Sequence, residues 1–96
     1  MNKQDFEAAL QLEGYSLAVE VERLAGYALG EHAHPFDAWA LITEGEITIA
    51  PGVGQGNYSK TYRTGDVFRL PRGTLHFEYA GPNGVTYLSG RREGGA

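Results

Sequence analysis

The side chains of this sequence best equipped for chemistry are its three histidines. His32 and His34 stand two residues apart, and His76 lies far along the chain. Side chains alternate along an extended strand, so residues i and i+2 leave the same face. Two such imidazoles joined by a third from another strand make a three-nitrogen metal site with open coordination positions. Histidines also serve local hydrogen bonds or simply face solvent, and the H-x-H pair by itself does not separate these roles. Two carboxylates lie close enough in sequence to matter. Glu78 is two residues from His76 and shares its face, which makes it a candidate catalytic acid or base, a fourth ligand, or a strand-end ion-pair partner. Asp37 follows His34 by three residues and needs a β-bulge to turn toward the same site.

A β-rich framework must position these groups. Over Lys3 to Glu13, Phe6, Ala9, Leu10 and Leu12 follow a helical spacing, and Gly14 stands where that helix stops. Beyond Gly14 the period becomes two. Leu17 to Leu24 alternates Leu17, Val19 and Val21 against Ala18, Glu20 and Glu22, as a half-buried strand does. Shorter strands are expected at Tyr27 to Leu29, Trp39 to Thr43, Ile47 to Ile49, Tyr58 to Arg63, Val67 to Leu70, Thr74 to Ala80, and Val85 to Ser89 or Arg92. Glu44-Gly45 reads as a hairpin, Gly81-Pro82-Asn83-Gly84 as a turn into the last strand, Pro51 to Asn57 as a loop, and Glu93 to Ala96 as a frayed tail. Many short strands with frequent turns and no interleaved helices make an all-β sandwich or barrel. Along the strand at residue 38, Ala38, Ala40 and Ile42 share one face, and Trp39 shares the other with Leu41. Trp39 is therefore expected to pack against a second sheet or a second subunit.

Length and charge limit the alternatives. The 96 residues suffice for one domain, here taken as 1–96, with a helix at about 3–13 and a barrel at about 15–92. Gly 14 and Pro 4 fit a turn-rich chain without repeats. A formal charge of −4 argues against a nucleic-acid groove, and the absence of cysteine removes disulfides, zinc fingers and thiol nucleophiles. The longest uncharged apolar run, Ala38 to Ile42, has only a strand's length, so no membrane partner is expected. Asp5 and Glu7 interrupt the N-terminal segment where a secretory signal needs an apolar run, so a cytoplasmic location is expected.

The spacing around the histidines resembles the two motifs of the cupin superfamily. Gly26, His32, His34, Ala38 and Gly45 follow G-x5-H-x-H-x3-E-x6-G, and Gly65, Pro71, Gly73, His76 and Ala80 follow G-x5-P-x-G-x2-H-x3-N. Eight of the ten fixed positions match; alanine replaces the glutamate at 38 and the asparagine at 80. The resemblance implies a jelly-roll β-barrel, a double-stranded β-helix, with a divalent transition metal held by His32, His34 and His76. Without a carboxylate at residue 38, three neutral imidazoles suit iron, zinc or nickel better than magnesium or calcium. Thiol dioxygenases of this superfamily resemble that arrangement, and a dipositive centre favours a small anionic ligand.

The pocket is expected to include Phe36, Ala38, Ala40, Ile42 and Tyr87. Two functions remain open: a metal-dependent dioxygenase or isomerase acting on a small anion, and a non-catalytic module that binds or senses one. A homodimer is expected to cover the exposed edge strand at Leu17 to Leu24.

Overall fold

In a computed structural model, which describes residues 1–54, 56 and 58–93, two long strands organise the chain. The elements in order are α1 (Lys3–Leu12), β1 (Val19–Arg23), β2 (Ala28–His32), β3 (Phe36–Pro51), β4 (Lys60–Arg63), β5 (Val67–Leu70) and β6 (His76–Glu93). β3 and β6 pair antiparallel over their whole length, from Phe36 opposite Glu93 to Pro51 opposite His76. The hairpin expected at Glu44-Gly45 is therefore not a turn between paired neighbours, and the turn expected at Gly81 to Gly84 lies within one long strand. Both segments lie inside these strands, and the residues on either side of Gly45 pair with β6 rather than with each other.

The physical reason is a shared bend. Gly45 lies opposite Val85 and Ile47 opposite Ala80, so β6 accommodates Gly81 to Gly84 as an outward excursion where β3 advances two residues. Gly45 and Gly84 both adopt positive φ, 74° and 81°, which a side chain resists. A Cβ on Gly45 would also run into the carbonyl oxygen of Gly84. Replacing Gly45 by alanine is expected to cost about 2 kcal/mol or more, from the left-handed backbone together with this collision. A urea unfolding midpoint equal to that of the parent protein would disprove the shared bend.

The bend divides each long strand between two layers. In one, β1 pairs with residues 85–89 of β6, which pair with β3 and thence with β5. In the other, β2 pairs with residues 76–79 of β6, which pair with residues 48–51 of β3 and thence with β4. The result is a jelly roll whose six-stranded sheet, ordered β1-β6-β3-β4 with β2 on β6 and β5 on β3, does not close into a continuous barrel. Ala38, Ala40, Ile42, Ile47, Phe68, Leu70 and Val85 form the core inside it.

Helix α1 covers the outer face of the first layer. The Asn2 side chain caps it by accepting from the Asp5 N–H at 2.8 Å. Phe6 and Leu10 are buried against Trp39, Leu41 and Leu88. Trp39 thus packs against α1 of its own chain, not against a second sheet or subunit. Its ring meets Phe6 and Tyr15 edge-on at centroid separations of 5.6 and 5.5 Å, with the Arg69 guanidinium 3.5 Å above it. Of the segments expected to be irregular, Gln55 and Asn57 in the loop and Gly94 to Ala96 in the tail lie outside the described residues, while Pro51 and Glu93 belong to strands. No helix among the described residues is long and apolar enough to cross a membrane.

Candidate metal centre

The site forms where β2 ends and β6 begins. His32, the last residue of β2, lies opposite His76, the first residue of β6. Glu78 follows His76 by two residues and shares its face, which the pleat dictates. His34 lies beyond β2 in the link to β3 rather than on a strand with His32. Its backbone is held from the turn before β6, where the Gly73 N–H donates to the His34 carbonyl at 2.9 Å. The sequence-based alternation therefore brings the right rings together by a different local route.

One ligand atom from each of His32, His34, His76 and Glu78 falls within 4.8 Å of all the others. The imidazole centroids of His32 and His76 are 4.1 Å apart, and His34 lies 5.0 and 5.4 Å from them. His76 is 1% exposed and Glu78 7%. The Oε2 atom of Glu78 lies 2.9 Å from Nε2 of His32, 2.8 Å from Nε2 of His76 and 3.9 Å from Nε2 of His34.

Backbone carbonyls decide which ring nitrogens are available. Nδ1–H of His32 donates to the Gly30 carbonyl at 2.7 Å, and Nδ1–H of His76 to the Thr74 carbonyl at 2.9 Å. A carbonyl only accepts, so these bonds place the proton of a neutral ring on Nδ1 and leave the Nε2 lone pair facing inward. Ring orientation by a backbone acceptor is the usual support of a metal-ligating histidine. At His34, burial pushes the pKa down, the nearby His32 and His76 add to the effect, and Glu78 opposes it. Its neutral, ligating form is thereby favoured.

Asp37 points away. Its Oδ1 accepts from the Arg72 N–H at 2.8 Å, and its Oδ2 accepts from Nε and Nη2 of Arg92 at 3.2 and 3.1 Å. The Arg72 N–H first, then Arg92, hold its carboxyl below the usual carboxylate range. There is no bulge to turn it inward; it lies opposite Arg92 in the regular β3–β6 ladder. A depressed folded-state pKa stabilises the fold at pH values above the ordinary carboxyl pKa, and the contribution is lost as pH falls through the folded value. Asp37→Asn is expected to lower the thermal midpoint at pH 7, by less at pH 3, without changing metal stoichiometry. Loss of metal in that variant would place Asp37 in the site after all.

A cavity of about 640 Å³ opens beside the cluster. His34 and Glu78 line one part of it, and the expected pocket residues Phe36, Ala38 and Tyr87 also contribute. Ala40 and Ile42 do not line this cavity. They share the face of Ala38 but sit deeper, packed in the core between the layers. Burial, reinforced by Glu78, pushes the Tyr87 phenol up to about 12, so it remains a neutral hydrogen-bond donor at physiological pH. Two cavity-lining arginines, Arg23 and Arg91, went unrecognised in the sequence. The alternation Tyr87, Ser89, Arg91 already puts Arg91 on the face of Tyr87, and that was the available signal.

Comparison with known proteins agrees with this architecture. A family model described as Cupin matches residues 1–92. A cupin-2 domain protein from Shewanella frigidimarina NCIMB 400 superimposes with a TM-score of 0.64 at 19% identity, covering 80% of this chain and 69% of its own. The DMSP lyase DddQ from Ruegeria pomeroyi DSS-3 gives a TM-score of 0.68 at 24% identity, covering 79% of this chain but 37% of its own. An oxalate oxidase structure gives 0.69 at 24%, covering 84% of this chain and 43% of its own. The chain thus spans less than half of either enzyme, and the likeness lies in the fold. No curated protein matches the sequence.

Proposed function

The chain belongs to the cupin family, and we propose that it binds one divalent transition metal through His32, His34, His76 and Glu78 and uses that centre to hold and act on a small anionic molecule. One observation carries the reading. Two rings direct Nε2 at a carboxylate oxygen 2.8 and 2.9 Å away, while their Nδ1–H groups donate to backbone carbonyls. Nitrogens and a carboxylate oxygen this close need a cation among them, whether a proton or a metal. Three imidazoles and one carboxylate form a donor set suited to iron, zinc or nickel.

The proposed ligand set differs from the sequence expectation in charge. Glu78 provides from β6 the carboxylate that Ala38 lacks on β3. With a dipositive ion the centre would carry +1, still attractive to an anion. A bound metal of this kind acts as a Lewis acid toward an oxygen of its ligand. The protein's own groups would do the rest: Tyr87 offers a phenolic proton for hydrogen bonding. Reaction type depends on turnover, so the dioxygenase and isomerase readings belong to this proposal. A homodimer formed through β1 also belongs to it, since Leu17 and Val19 beside that edge are 90% and 63% exposed.

The test is elemental analysis of protein purified without a histidine tag, followed by titration with zinc, iron and nickel. About one equivalent per chain, unaffected by excess magnesium or calcium, is expected. Substoichiometric binding of all three metals would refute the centre.

A further inference from the structure

Arg91 presents an unused guanidinium to the cavity. It lies on β6 directly across from Ala38, and side chains directly opposite in an antiparallel pair project from the same face. A methyl group is all that this partner offers. Glu93 follows two residues later, yet no carboxylate among the described residues forms an ion pair with Arg91. By contrast, Arg92 pairs with Asp37 and Arg69 with Glu13, both on the outside of the layer.

The guanidinium is nonetheless held in place. Its central carbon sits 4.0 Å from the Phe36 ring centroid. Phe36 stacks in turn on His34, with centroids 5.0 Å apart and an interplanar angle of 19°. Arginine, Phe36 and the histidine thus form a stack that fixes the position of a cationic fork relative to the metal site. Stacking on an aromatic face leaves the edge of the guanidinium free, and that edge carries the paired N–H donors that match a carboxylate.

We infer that Arg91 is the carboxylate-recognising residue of the cavity, and that the ligand is a small bifunctional molecule with a metal-binding head and a carboxylate tail. This inference rests on the metal centre proposed above. It adds a second point of attachment, which selects the tail of the ligand where the metal selects only its head. Arg23 also lines the cavity, but it lies over Tyr27 and donates to its neighbour's carbonyl, Glu22 O, at 3.0 Å. Its variant is therefore the control.

The experiment uses the zinc-loaded full chain and three probes sharing one metal-binding head: acetohydroxamate, succinate monohydroxamate, and the terminal amide of the latter. Calorimetry should show the carboxylate probe binding roughly ten- to a hundredfold more tightly than its amide, the range for a charge-assisted paired contact. In Arg91→Met the two should bind alike, with acetohydroxamate unchanged. Arg91→Lys should recover only part of the preference, because an ammonium lacks the planar fork. Ala38→Glu should suppress the preference too, by giving Arg91 a carboxylate of its own across the ladder. Equal binding of carboxylate and amide by the parent, or a preference that survives in Arg91→Met, overturns the assignment. So does its loss in Arg23→Met with Arg91 intact. If zinc binds but acetohydroxamate does not, the open metal position fails and Arg91's role falls with it; if zinc itself does not bind, the fault lies in the metal centre.

Discussion

Replacing His76 with alanine is expected to reduce metal affinity by about a hundred- to a thousandfold. Structural zinc sites bind with about 10–16 kcal/mol, and spreading this over four ligands assigns roughly 3 kcal/mol to each. His76 is the ring most enclosed by protein, and it begins the strand that also carries Glu78. Its loss removes a ligand and leaves a hole beside a carboxylate. His76→Gln separates the two effects, because it keeps much of the volume and loses the imidazole. Both variants should retain the far-ultraviolet signature of a β protein while failing to hold zinc against a chelator. Parent-like zinc affinity in His76→Gln would remove His76 from the ligand set.

The histidines could be located from sequence because the glycines and proline around them obey a strict spacing, and each of those residues has a backbone duty. Gly65 and Gly73 sit at φ of 91° and 80° at the corners that lead into β5 and β6. The same logic failed at Gly45, where a hairpin was expected. A positive-φ glycine signals a change of chain direction, but it does not say whether the flanking residues pair with each other or with a third segment. Here Gly45 and Gly84 serve one bend in a long-range pair, and only the contact between them reveals it. Glu78 was legible through its period-two relation to His76, and Asp37 was doubtful for the same reason. Which carboxylate joins the cluster was settled by partners far away in sequence, Arg72 and Arg92. Trp39 was correctly given to the outer face, but nothing local in its strand indicates that the helix, residues 3–12, would be what covers it.

Glu78→Gln is the variant with the most informative pair of effects, because metal-bound and metal-free protein should respond in opposite directions. Glutamine keeps the shape of the side chain and exchanges a carboxylate oxygen for an NH₂ group. Around a metal this removes an anionic ligand, so zinc affinity is expected to fall by about a hundredfold, the same roughly 3 kcal/mol assigned to each ligand above. Added zinc would then stabilise the protein much less, since stabilisation follows RT ln(1 + [L]/Kd). Without metal the sign reverses. With neutral rings the parent holds Oε2 against the inward Nε2 lone pairs of His32 and His76. The amide of glutamine has two N–H donors for those two lone pairs. Metal-free Glu78→Gln should therefore unfold at a higher urea concentration than metal-free parent, by about 1 kcal/mol, the net worth of a typical hydrogen bond. A purely structural Glu78, bonded to histidines that carry a proton on Nε2, predicts the opposite: the glutamine variant would be the less stable, and zinc would stabilise both proteins equally. Chelator-treated urea titrations of the two proteins, repeated with zinc, distinguish the alternatives.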